Sequence, residues 1–174
     1  MPSRLFHRFS LAIATAALSV ATLPPASAQD FSPAARAMQT AASICLDNYR
    51  TPENFVPALR KAGFNVTRGM DEGTWEFSGS SVSGITLGDQ GRAYCVVQSA
   101  EVPLNLAQGI GLGLARVMLG YKETTENGSP EGKRRTCDGL NVIVPRRSIW
   151  IRYANAGNSG DCVDDGTSAI ILQM

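Results

Sequence analysis

Residues 74–98 read TWEFSGSSVSGITLGDQGRAYCVVQ, and the reading of this stretch decides the fold class. Thr74-Trp75-Glu76-Phe77-Ser78 alternates polar and apolar side chains, which puts Trp75 and Phe77 on one face of an extended strand. Ser81–Leu87 and Ala93–Gln98 are two further extended runs, and Gly88-Asp89-Gln90-Gly91 between them has the composition of a hairpin loop. In the second run Ala93, Cys95 and Val97 share one face, and Tyr94 and Val96 share the other. Strands that follow one another in a run, with no helix between each pair, argue for an antiparallel sheet.

Outward from this stretch the pattern changes period. Upstream, Phe64-Asn65-Val66-Thr67 is a short alternating strand, and before it come two helical segments. The first is predicted from Pro33 to about Tyr49, with Ser32 as its cap and Met38, Ala42, Cys45 and Tyr49 on its buried face. The second opens at Thr51-Pro52, turns Phe55 and Leu59 inward, and ends at Gly63, a glycine placed where a left-handed cap is needed. Downstream, a helix is predicted after Pro103 as far as Tyr121, with an apolar stripe of Leu106, Ile110, Leu114, Val117 and Tyr121. The last third returns to strands: around Arg135, then Leu140–Val144, Ser148–Tyr153 and Ala169–Met174, with Pro145-Arg146 in a turn. Glu123–Lys133, which contains Asn127-Gly128-Ser129-Pro130, reads as a long exposed turn. The expected class is α+β: an antiparallel sheet of about five to six strands with helices packed mainly on one face.

Met1–Ala28 has the three parts of a cleaved secretory signal peptide: Arg4 and Arg8, an apolar run from Leu11 to Leu23, and the small residues Ala26-Ser27-Ala28. The residue after the expected cut is Gln29, so no N-terminal cysteine is offered for lipid attachment. Residues 29–174 then form a single globular domain in the periplasm or outside the cell, with no stable membrane insertion. The whole chain holds 16 Lys and Arg against 15 Asp and Glu, and two of the arginines leave with the signal, so the remaining 14 against 15 give a net charge of −1. A near-neutral surface exerts no long-range pull on nucleic acid or on an anionic membrane. The sole histidine, His7, also lies in the signal, which removes every Ser-His-Asp, Cys-His and His-ligated zinc arrangement from the domain. The four cysteines, Cys45, Cys95, Cys137 and Cys162, include no C-x-x-C pair. An even number in an exported domain reads as disulfides, and the sequential connectivity Cys45–Cys95 with Cys137–Cys162 would staple each half separately.

Four features carry candidate chemistry. Gly109-Ile110-Gly111-Leu112-Gly113 lies inside a helical pattern and lacks the strand-to-helix turn of a dinucleotide loop. Ala107, Gly111 and Ala115, spaced by four, instead make a smooth face for close packing; the wall of a lipid-binding cavity is the other use of such a helix. The segment Asn155–Gly166 is rich in oxygen ligands, and Asp161, Asp164 and Asp165 are candidate calcium ligands, although the strict calcium-loop spacing is absent and a solvated turn explains the composition equally well. Arg134, Arg135, Arg147, Trp150 and Arg152 are a candidate binding surface, because Trp150 and Arg152 share one face of their strand and an exposed Trp beside Arg suits recognition of an acidic group or a protein. The acids Asp71, Glu72, Glu76, Asp164 and Asp165 would support carboxylate catalysis only if two of them met in one cleft.

No catalytic residue and no cofactor other than calcium is expected from these patterns. The leading expectation is a non-catalytic exported domain that binds a protein or an envelope component, or takes part in envelope assembly. The alternatives are a carboxylate-dependent hydrolase of cell-wall or polysaccharide substrates, and a small carrier of lipid or another hydrophobe.

Overall fold

Ser32 stops the chain from entering a helix at random: its Oγ accepts a hydrogen bond from the Ala35 backbone at 3.1 Å, and Pro33 follows at a position where a missing N–H costs nothing. In the computed structural model, which describes residues 31–89, 92–122, 139–157 and 165–174, this cap opens α1 over Pro33–Asp47. Its buried face is mostly small, with Ala34, Ala35, Ala41 and Ala42 beside Met38, Cys45 and Leu46. The helix stops before Tyr49, two residues short of the expected end. Asn48 is the reason: its side-chain amide and its backbone N–H both donate to the Ile44 carbonyl, at 2.8 and 3.2 Å, a local closure that competes with further helix.

The second helical segment divides in two. Thr51 makes no side-chain capping bond, and Pro52–Asn54 forms a 3-10 turn before α2, Phe55–Lys61. Gly63 ends this region at φ +90, with the Phe64 N–H reaching back to the Leu59 carbonyl at 3.1 Å, the wrapped-back cap that glycine permits. Phe64 then lies edge-on to Phe77 with ring centroids 5.6 Å apart.

The strands are β1 (Asn65–Arg68), β2 (Thr74–Gly79), β3 (Val82–Asp89), β4 (Arg92–Ser99), β5 (Leu140–Val144), β6 (Arg147–Ala154) and β7 (Ser168–Gln173), with α3 (Leu104–Leu119) between β4 and β5. They form one antiparallel sheet in the order β1-β2-β3-β4-β7-β6-β5. The described sheet therefore has seven strands, more than the five to six expected. The short β1 is held by its full-length pairing with β2, and the two meanders fuse because β4 and β7 pair over six residue positions, from Tyr94↔Gln173 to Ser99↔Ser168. Alternation identifies strands one at a time; it does not say that two meanders share one sheet.

Both long helices lie on the same face. Beneath them are Phe77, Val82, Cys95, Val97, Ile149, Ile151, Ile170 and Leu172, all buried. Cys45 at the end of α1 is bonded to Cys95 on the central strand β4, with Cα atoms 6.3 Å apart. Disulfides persist mainly in oxidising compartments. Cys137 and Cys162, the signal segment, Glu123–Lys133 and the strand expected around Arg135 lie outside the described residues. Among the described residues no helix is long and apolar enough to cross a membrane.

The inward face of α3 differs from the expected stripe. Leu104, Ala107, Ile110, Gly111, Leu114 and Ala115 are buried, whereas Val117 is 86% exposed and Leu106 only half-buried. The helix is turned so that its small residues, not its largest, meet the sheet. A methyl group added at Gly111 would overlap the Tyr153 ring, whose hydroxyl is its closest contact and whose Cε1 would be 3.0 Å away. Gly109 and Gly113 point the other way, into open space, so close packing accounts for Gly111 and not for them.

Candidate functional site

The alternation of β6 sends Ile149, Ile151 and Tyr153 toward the helices and Ser148, Trp150 and Arg152 to the opposite side. Among the described residues that side of the sheet carries no helix, and the register places its residues in rows. One row runs Asn141, Trp150, Gln173, Tyr94, Leu87 and Thr74 across β5, β6, β7, β4, β3 and β2. The next runs Arg152, Ile171, Val96, Ile85, Glu76 and Thr67 from β6 to β1. Trp150 is 44% exposed, Ile85 42% and Ile143, on the edge strand β5, 80%. Ile171, Val96 and Ile85 thus form an apolar strip with Tyr94 beside it, Gln173 stands between Tyr94 and Trp150, and Arg152, Glu76 and Gln98 lie around the strip.

The electrostatics of this face are mild. The phenol of Tyr94 is raised above its ordinary range by partial burial, and the nearby Arg152 guanidinium offsets part of that rise. Toward the β2–β3 hairpin the face sinks into a depression of about 250 Å³ lined by Thr67, Glu76, Ser78, Ser83, Ile85 and Gln98. It continues into a wider cleft of about 540 Å³ bordered by Ser80, Ser81, Ser99 and Gly157. Gln98 organises the junction, donating to Ser83 Oγ at 3.3 Å and accepting from the Gly157 backbone at 2.8 Å.

Of the binding residues expected from sequence, Trp150 and Arg152 come together on this open face, and Arg134 and Arg135 lie outside the described residues. Arg147 is at the first position of β6, on the helix side; its Nη1 donates to the Tyr49 carbonyl at 2.9 Å and its guanidinium lies 5.9 Å from the Tyr49 ring centre. Sequence reasoning did not single out Tyr94, Ile171, Ile85 or Ile143 as surface partners of Trp150. The alternation of Tyr94 and Val96 against Cys95 was the available signal, but it names two faces without saying which one the helices cover.

The acids are dispersed. Asp71 and Glu72 occupy the β1–β2 turn, where the Asp71 carbonyl accepts from Thr74 N at 3.1 Å, and Glu76 stands on the open face between Thr67 and Ile85. Asp165 precedes β7. The pairing of Thr74 with Leu87, of Leu87 with Tyr94 and of Tyr94 with Gln173 puts the β1–β2 turn at the level of the far end of β7, so Asp71 and Asp165 lie at opposite ends of the sheet. The Asp165 carboxylate caps its own turn, accepting from Thr167 N at 2.9 Å and from Thr167 Oγ1 at 2.7 Å. These bonds, with one from Asn155, hold it below the usual carboxylate range. Asp161 and Asp164 lie outside the described residues, and among the described residues no three His, Cys, Asp or Glu side chains gather as a metal centre.

The chain was compared with protein-family models, with curated proteins and with solved structures, and none of them matches it. The functional reading therefore rests on its own geometry.

Proposed function

We propose that this chain is an exported binding domain, without chemistry of its own, that engages a protein or other envelope component through the open face of its sheet. The observation that carries the reading is the half-exposed Trp150 with Arg152 beside it on β6, at the border of an apolar strip of Ile171, Val96 and Ile85 that Tyr94 adjoins. Recognition surfaces have this anatomy, an apolar middle with Trp, Tyr and Arg inside a polar rim. Leaving such side chains in water forgoes burial energy of roughly 25 cal/mol for each Å² of apolar surface, which a partner would recover. The signal sequence and the Cys45–Cys95 bond support an extracytoplasmic place of action.

The test is site-specific photocrosslinking in the host compartment, with the photoreactive side chain at Ile143 on the open face or at Gly109 on the outer side of α3. The open-face probe is expected to give a discrete adduct, and Trp150→Ala with Arg152→Ala is expected to weaken that partner by roughly 2 kcal/mol or more, about thirtyfold. Adducts that survive both substitutions unchanged would remove this face from consideration.

A further inference from the structure

A second surface, on the helix side of the sheet and independent of the open face, gathers positive charge around one aromatic ring. Tyr49 follows the end of α1. Arg50 donates from Nε to the Tyr49 hydroxyl at 2.8 Å and holds its guanidinium carbon 5.2 Å from the ring centre. Arg147 reaches the same ring from the β5–β6 hairpin, nearly a hundred residues further along the chain, at 5.9 Å. Arg146 is adjacent in the hairpin turn and exposed.

Arg147 has a structural task, since it ties the hairpin to the carbonyl beyond α1. Arg50 has none: it is exposed, and among the described residues its one hydrogen bond goes to the neighbouring side chain and neither arginine forms an ion pair with an acid. Asp47 and Glu53, the acids nearest in sequence, are exposed and contribute no counter-ion. Two cations drawn to one ring repel each other, and the face of the ring attracts each of them too weakly to replace a carboxylate. Two guanidinium groups held at one ring, with no counter-ion among the described acids, are suited to an oxyanion that accepts from several N–H donors at once.

We infer that Tyr49, Arg50 and Arg147, with Arg146 at the rim, form a binding site for a phosphate group. A divalent oxyanion balances both guanidinium charges, whereas a single carboxylate balances one. Both guanidinium groups lie at the ring, and the tie from Arg147 to the Tyr49 carbonyl positions that arginine before the ligand arrives. The phosphate belongs to a lipid headgroup or to a soluble phosphate ester; the chemistry of recognition is the same for both.

The test is a titration of the oxidised protein with inorganic phosphate at neutral pH and low salt, followed by NMR of the arginine Nε–H signals. Saturable shifts at Arg50 and Arg147 are expected, weakened about tenfold by Arg50→Gln, with acetate binding more weakly than phosphate. Arg68→Gln, on the distant strand β1, is expected to leave the affinity unchanged. Arg147→Lys retains charge but loses the fork, and it is expected to weaken binding while the protein stays folded. Binding that is indifferent to Arg50→Gln, equal loss with Arg68→Gln, or no saturation up to about 10 mM would each overturn the assignment. The source is settled with vesicles of phosphatidylcholine containing phosphatidic acid. Arg50-dependent capture identifies a headgroup, and Arg50-dependent binding of free phosphate without capture identifies a soluble ester.

Discussion

From Pro33 to Ser99 a helix leads into an antiparallel meander, and from Leu104 to Gln173 another helix leads into another meander. The two meanders meet where their last strands, β4 and β7, pair, and α1 and α3 lie side by side on one face. The first half locks its helix to the sheet covalently, through Cys45 and Cys95. In the second half, among the described residues, the helix is brought close by leaving out a side chain: Gly111 admits the Tyr153 ring, whose hydroxyl contacts the Gln108 carbonyl at 3.4 Å. Among the described residues, one half carries a long-range bond that restricts the unfolded chain, and the other a close fit of shape. The same layer spacing is reached by two physical routes, and they should fail differently.

The largest contrast is expected at the disulfide. Cys45 and Cys95 are 50 residues apart, and closing a loop of that length restricts the unfolded chain by the equivalent of roughly 4 kcal/mol in the chain-entropy model. Cys45→Ala with Cys95→Ala should lower unfolding free energy in urea by about that amount, with part of the loss arising from the two buried sulfurs. A loss below about 1 kcal/mol would mean that the first half is held by packing as the second is, and the comparison would collapse.

A smaller and sharper effect is expected along α3. Gly111→Ala should destabilise by about 1–2 kcal/mol, because overlap with Tyr153 outweighs the gain in helix propensity, and Tyr153→Phe in the same chain should restore part of it. Gly109→Ala and Gly113→Ala should act in the opposite direction, each stabilising by about 0.5–1 kcal/mol, since their new methyl groups meet nothing. Thermal melts of the three single variants decide the matter. Equal signs at all three positions would show that Gly111 is not the contact that sets the height of α3.

The smallest effect concerns the turn into β7. The Asp165 carboxyl is held below its ordinary value of 3.8 by the bonds from Thr167 and Asn155. A lowered folded-state value means that its stabilisation is present above the unfolded value and disappears as pH falls through the folded one. Urea unfolding of Asp165→Asn and the parent chain should therefore differ near neutrality and converge in acid. A difference that persists unchanged at low pH would assign the turn's stability to something other than the ionised carboxylate.

Much of this architecture was legible from local chemistry. Ser32 and Pro33 announced α1, Gly63 announced the end of α2, and the runs around Gly79 and Gly88 announced an antiparallel meander. The Cys45–Cys95 bond was expected from sequential connectivity, and both cysteines are buried on the apolar side of their own elements. The orientation of α3 was misjudged at Val117: periodicity weights the largest apolar side chains, but the tightest contact went to the smallest ones. The candidate surface was half legible. Period two put Trp150 and Arg152 together, and it equally put Arg147 on the other side, which spacing along one strand shows only when the strand's first residue is known.

By itself, then, the sequence determined most of the elements, the Ser32 cap and the Gly63 stop, the antiparallel class and the side chains that share each strand face, because all of these depend on interactions within a few residues. Tertiary structure alone decided that both meanders join in one sheet through β4 and β7, which side of that sheet the helices cover, and hence that Trp150, Tyr94 and Ile171 face outward together. It also brought Arg147 to Tyr49 and Arg50. These juxtapositions join residues far apart in the chain, and they arise only when burying one face of the sheet leaves the other in water.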